Sequence, residues 1–125
     1  MTTAIDSNTD LATGLIPLLK EYSAKVAAVI AELRQISLRA IRTDSRMDEG
    51  RARQYRLSRI QQLREQFQRL RPAANDLIRR ASQLVEYGNV AEPVNIELRL
   101  RLAEFEGDVI AADKMLNDAR LLLKT

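Results

Sequence analysis

Apolar residues recur at alternating four- and three-residue intervals in three separate stretches of this chain, and that pattern leaves few folds open. The first stretch is Leu15, Leu19, Tyr22, Val26, Val29, Leu33, Ile36 and Ala40. The second is Ile60, Leu63, Phe67, Leu70, Ala74, Leu77, Ala81 and Leu84. The third is Leu98, Leu102, Phe105, Val109, Ala112, Leu116, Ala119 and Leu123. Each spacing draws one apolar seam down a helix, as helices packed in coiled-coil fashion require. The predicted fold is all-α: an antiparallel up-down-up three-helix bundle. With 125 residues the chain is long enough for one domain with a buried core. We assign that domain to residues 14–125. Residues 1–13 are polar, rich in Thr and Asp, and expected to fray.

Local signals suggest the boundaries. Thr13 is an N-cap candidate, and Pro17 would then fall in the opening turn, where its missing N–H matters least. The first turn has two candidates. Ser45 to Asp48 has the form of a capping box; Gly50 could close the preceding helix. A turn at Ser45 would set Leu33 against Arg56 and Ile36 against Arg53, burying guanidinium groups. A turn at Glu49-Gly50 sets Ala40 against Ile60 and Leu33 against Phe67. The predicted helices are therefore about 14–48, about 52–87, and Pro93 to about Lys124, with Gly88-Asn89 ending the second. Pro72 lies inside helix 2, but Leu70, Ala74 and Leu77 keep phase across it, so a continuous, kinked helix is expected. The second hairpin should set Leu70 against Ala112 and Ile60 against Leu123. Helix 3 would then end near Ile60, leaving residues 41–59 as a protruding two-helix tip.

Charge is uneven along the chain. Twenty Lys and Arg face 17 Asp and Glu, a net charge of +3. Residues 49–87 hold nine Arg against four acidic groups, while residues 88–125 hold five basic and seven acidic. The tip concentrates Arg42, Arg46, Arg51, Arg53, Arg56 and Arg59 around Tyr55. Planar guanidinium groups suit bidentate contact with carboxylate or phosphate. An acidic protein surface and a nucleic-acid backbone would both fit, and so would a merely solvated end with Arg stems lying over Met47, Ala52 and Leu57. Helix 3 carries a second apolar stripe, Ile96, Leu100, Ala103, Gly107 and Ile110, away from the first seam. A three-helix core needs one stripe per helix. The second suggests self-association or a partner surface; the bland alternative is drift of a straight helix against the repeat.

Chemistry is thinly represented. There is no His and no Cys, which removes the commonest acid–base group, thiol nucleophiles and zinc sites. Glu21, Glu32, Glu65, Asp76 and Glu97 fall beside or outside the seams, so they cannot assemble a di-metal centre in the bundle. The four glycines are isolated and form no phosphate loop. No cofactor and no enzymatic activity are expected. Helix 2 is basic and amphipathic enough for an anionic membrane surface, but its apolar face has better use in the bundle. With no signal segment and no spanning apolar run, a cytoplasmic location, or export without a cleavable signal, is expected.

These features suggest a non-enzymatic interaction module. It would engage a protein partner through the Arg-rich tip and form oligomers through helix 3. The rival is a nucleic-acid accessory protein using the same tip. The long-helix architecture is similar to that of flagellar or type III export chaperones and small phage or plasmid accessory proteins. That likeness rests on architecture alone and carries no residue across.

Overall fold

A computed structural model describes the backbone of residues 4–41 and 49–124, and the side chains of residues 7–36 and 50–119. It contains three helices: α1 (Ala4–Ile41), α2 (Glu49–Tyr87) and α3 (Val94–Lys124). They form a three-helix bundle in which every helix packs on the other two. Among the described residues the parallel pair, α1 and α3, shares the most extensive interface.

The predicted seams form the core. Leu15, Leu19, Val26, Val29, Leu33 and Ile36 from α1 are buried, as are Ile60, Leu63, Phe67, Ala74, Leu77 and Ala81 from α2. Leu98, Leu102, Phe105, Val109, Ala112 and Leu116 complete it from α3. Tyr22, Leu84 and Ala119 are half-buried against this cluster. Ala12, which extends the first four-three row by one step, and Ile16, Ile30 and Val90, which lie off the rows, also join it.

Two boundaries differ from the sequence reading. α1 is already helical at Ala4, well before Thr13. Thr13 is not a cap: its hydroxyl donates to the carbonyl of Thr9 at 2.8 Å, one turn back inside the helix. Pro17 therefore lies in the helix interior. Tertiary contacts hold the early turns. The Asn8 side-chain amide donates to the Gly88 carbonyl at 2.8 Å, and the Ala91 N–H donates to the Thr9 hydroxyl at 3.1 Å. Ala12 is fully buried beneath them.

The first turn also moves. Glu49 and Gly50 are helical residues of α2, so the turn is not at Gly50; residues 42–48, with the Ser45 capping box, lie outside the described residues. The expected register set Ala40 level with Ile60, and so Ile41 level with Arg59; instead Arg59 pairs with Glu32. The burial penalty that argued against a turn at Ser45 does not arise. Arg53 is exposed, Arg56 and Arg59 are half-buried, and Ala52 takes the small buried position. Arginine can cover apolar surface with its stem while its head stays in water.

The second hairpin stays close to its expected register. Arg71 Nη1 donates to both carboxylate oxygens of Asp113, at 2.6 and 2.5 Å, two residues from the position level with it in the Leu70–Ala112 register. α2 runs unbroken through Pro72. It ends where the Gly88 N–H donates to the Leu84 carbonyl at 3.0 Å and Asn89 takes a positive φ of 48°. Gly88 is required for space: a Cβ there would stand 2.6 Å from the Leu84 carbonyl oxygen. Gly88→Ala should therefore destabilise the protein by about 1–3 kcal/mol, the range for forced overpacking. Asn89→Gly, which meets no such obstruction, should stay within about 0.5 kcal/mol. Urea unfolding of the two variants checks both.

Candidate functional site

The Arg-rich tip is built from the first turns of α2 against α1. Counting eleven residues from Asp113 to Lys124, and eleven back from Arg71, brings the end of α3 level with Ile60. The opening turns of α2 therefore lie past the end of α3. Ala52 is buried there but stands outside the contiguous core. Of the six arginines assigned to the tip, Arg42 and Arg46 lie outside the described residues. Arg59 is taken up internally: its Nε and Nη2 both donate to Glu32 Oε2, at 2.8 and 2.5 Å. Arg51 and Arg53 are exposed, and Tyr55 beside them is 62% exposed. Tyr55 and Arg59 also line a shallow groove with Ala31, Glu32, Gln35 and Ile36. Arg51 and Tyr55 thus lie on one side of α2 and Arg53 nearly opposite Arg51, while Arg59 has a cross-helix partner in Glu32.

The second stripe on α3 faces outward along its whole length. Ile96 is 55% exposed, Leu100 61% and Ile110 68%, with Ala103 and Gly107 exposed between them. At about 100° per residue the stripe lies nearly opposite the core seam of the same helix. Drift would have widened the buried face; instead there are two separate apolar faces on one helix. Nothing lies within 4 Å of a Cβ built at Gly107. The bundle itself therefore gives no reason for a residue that weakens a helix by about 1 kcal/mol relative to Ala.

The carboxylates around this stripe differ in how they are engaged. Glu97 meets Lys20 at 3.5 Å, Glu104 accepts from Arg101 Nη1 at 3.3 Å, and Asp108 accepts from the Ser23 hydroxyl at 2.7 Å. Glu106 makes no ion pair among the described residues. On α2, the hydrogen bond from Arg79 holds the Asp76 carboxyl below its ordinary range; desolvation opposes this, and the nearby charges of Arg80 and Arg79 add to the lowering.

A further concave surface was not identified from the sequence. Leu11, Gly14, Leu15 and Leu18 of α1 face Arg80, Leu84 and Tyr87 of α2 across a groove of about 540 Å³. Leu11, Leu18 and Tyr87 are exposed in it. The signal was present, since Leu11, Gly14 and Leu18 continue a three-four spacing beside the main seam. It was hidden by placing the helix start at Thr13.

Among the described residues no group of three or more acidic side chains converges as a metal site would, and no polar or charged residue is buried. Nor is any described helix long and apolar enough to cross a membrane. No family model matches the sequence, and neither a curated protein nor a solved structure matches it significantly.

Proposed function

We propose that this protein is a non-enzymatic interaction module whose principal docking surface is the outer face of α3. The observation that carries the reading is the exposure of Ile96, Leu100 and Ile110 on the side of α3 opposite its core seam. Large apolar side chains aligned on one exposed face mark contact surfaces more often than solvent surfaces. The opening turns of α2, with Arg51, Arg53, Tyr55 and Arg56, are a second contact, suited to an acidic protein surface. Their aromatic-with-arginine composition also favours a nucleic-acid reading. That alternative requires binding to mixed-sequence nucleic acid that falls steeply with salt, about 0.9 log units per log unit of salt for each phosphate engaged on duplex DNA.

A photo-reactive residue at Ala103 tests the main reading in cells expressing the protein. The expected result is a discrete cross-linked adduct from position 103 and none from the exposed α2 position Gln68. Absence of any adduct at 103 would reject the α3 face.

A further inference from the structure

We infer that the outer face of α3 docks in the α1–α2 groove of a second copy, so that the chain assembles head to tail; this rests on the docking reading above. The molecule carries two exposed apolar surfaces of opposite shape. One is convex: Ile96, Leu100 and Ile110 stand exposed along α3, away from its core seam. The other is concave: the groove of about 540 Å³ between the beginning of α1 and the end of α2. Leu11 and Leu18 are exposed on one of its walls and Tyr87 on the other.

The two surfaces match. The α1 wall repeats at three and four residues through Leu11, Gly14 and Leu18, and the α2 wall presents Leu84 and Tyr87 three apart. Two antiparallel helices with apolar rows on either side of a groove form the seat of a fourth helix in a bundle. The centre of the α3 stripe has the same three-four spacing, through Leu100, Ala103 and Gly107. Each surface also has a glycine in a helix interior. A Cβ built at Gly14 or at Gly107 meets nothing within 4 Å. The packing of the bundle requires neither glycine, although each weakens its helix. What such residues permit is close approach of another backbone.

Two α3 stripes set face to face would join one helix to one helix and leave both grooves open. In the groove, the same stripe meets two helices at once and removes more apolar surface from water, which is what drives association. Charge does not decide the pairing, because Asp10 and Arg80 put both signs on the groove walls. Every copy presents both halves of the interface. The groove is lined by α1 and α2 alone and opens away from α3, so the two halves lie on opposite sides of the bundle. A contact between unlike surfaces is heterologous: it builds a ring if the rotation closes and an open filament if it does not.

Sedimentation velocity of the full chain over a range of concentrations tests this. The wild type should form species larger than a dimer, whose share rises with concentration. Leu11→Glu with Leu18→Glu blocks the groove, and Leu100→Glu with Ile110→Glu blocks the stripe; each variant alone should be a monomer. Mixed in equal amounts they should form a heterodimer and nothing larger, because one keeps its stripe and the other its groove. Circular dichroism verifies folding. Should either glutamate pair unfold the bundle, Gly14→Gln and Gly107→Gln take their place. The open space beside each glycine accepts a side chain, so these variants should fold, block close approach and give the same pattern. A wild type that stays monomeric overturns the inference, as does a variant that associates like the wild type or a mixture that stays monomeric. A dimer lost in the stripe variant but kept in the groove variant overturns it in favour of two stripes face to face. The Ala103 cross-link separates this inference from the docking reading. An adduct of two copies is expected. An adduct with another protein, from a monomeric chain, overturns the second copy as occupant and leaves the docking face standing; no adduct rejects both.

Discussion

Phe105→Ala should destabilise the protein by about 3–5 kcal/mol, the largest effect expected of a single truncation here. Phe105 is fully buried and is the largest side chain in that state. It sits in the middle of α3, the helix that shares the most extensive interface with α1. Truncation removes the transfer free energy of the ring and leaves a cavity that long, stiff helices close poorly. Ile110→Ala, five residues along the same helix, provides the control. With Ile110 68% exposed, its truncation should change stability by less than about 0.5 kcal/mol. Urea unfolding monitored by circular dichroism compares the two. Similar losses at both sites would mean that the inner and outer faces of α3 have been exchanged.

The second large effect runs in the opposite direction. Pro17 and Pro72 both lie inside helices and are exposed. Each lacks the N–H that would reach the carbonyl four residues back, Thr13 for one and Gln68 for the other. An interior proline is disfavoured by roughly 3 kcal/mol relative to Ala, so each Pro→Ala change should raise stability by up to that amount. The sites are far apart in the chain and share no partner, so the double variant should approach the sum. Thermal unfolding of the two single variants and the double variant tests this. A fall in stability on Pro17→Ala would show that the proline sets a bend the α1 packing needs.

The sequence was a good guide wherever a seam had long, unambiguous periodicity. Most of the α2 and α3 seam positions are buried as read, with Leu70, Leu84 and Ala119 only half-buried, and Arg71 pairs with Asp113 two residues from the expected register. The exposed stripe of α3 was equally legible, because five residues kept phase on a face the core did not need. The start of α1 was not. Ala4 to Asp10 has no apolar period, and its helix is tied to the rest through Asn8 and Thr9, whose partners in the α2–α3 connection cannot be read locally. The first turn was misplaced for an energetic reason. Arg56 was treated as a charge to be buried, although an arginine stem can lie over Leu33 or Ile36 while its guanidinium stays in water. The tip lost a member for a related reason: Arg59 has a cross-helix carboxylate, Glu32, that only the true register brings near it. Composition could count the arginines without showing which were already paired.

The pairing of α1 with α3 has a consequence for how the chain reaches this state. Its most extensive interface joins segments some eighty residues apart, as the Ser23–Asp108 and Lys20–Glu97 contacts show. Neither adjacent hairpin contains it. The entropy of closing that long loop must be met before the interface can form. Folding should therefore be slower than for bundles dominated by neighbouring-helix contacts. During synthesis, α1 and α2 emerge with their shared hairpin incomplete, and their apolar seams lack a third wall until the chain has passed Phe105 and Val109. The folding transition is thereby pushed late, to a point when most of the polypeptide is already present.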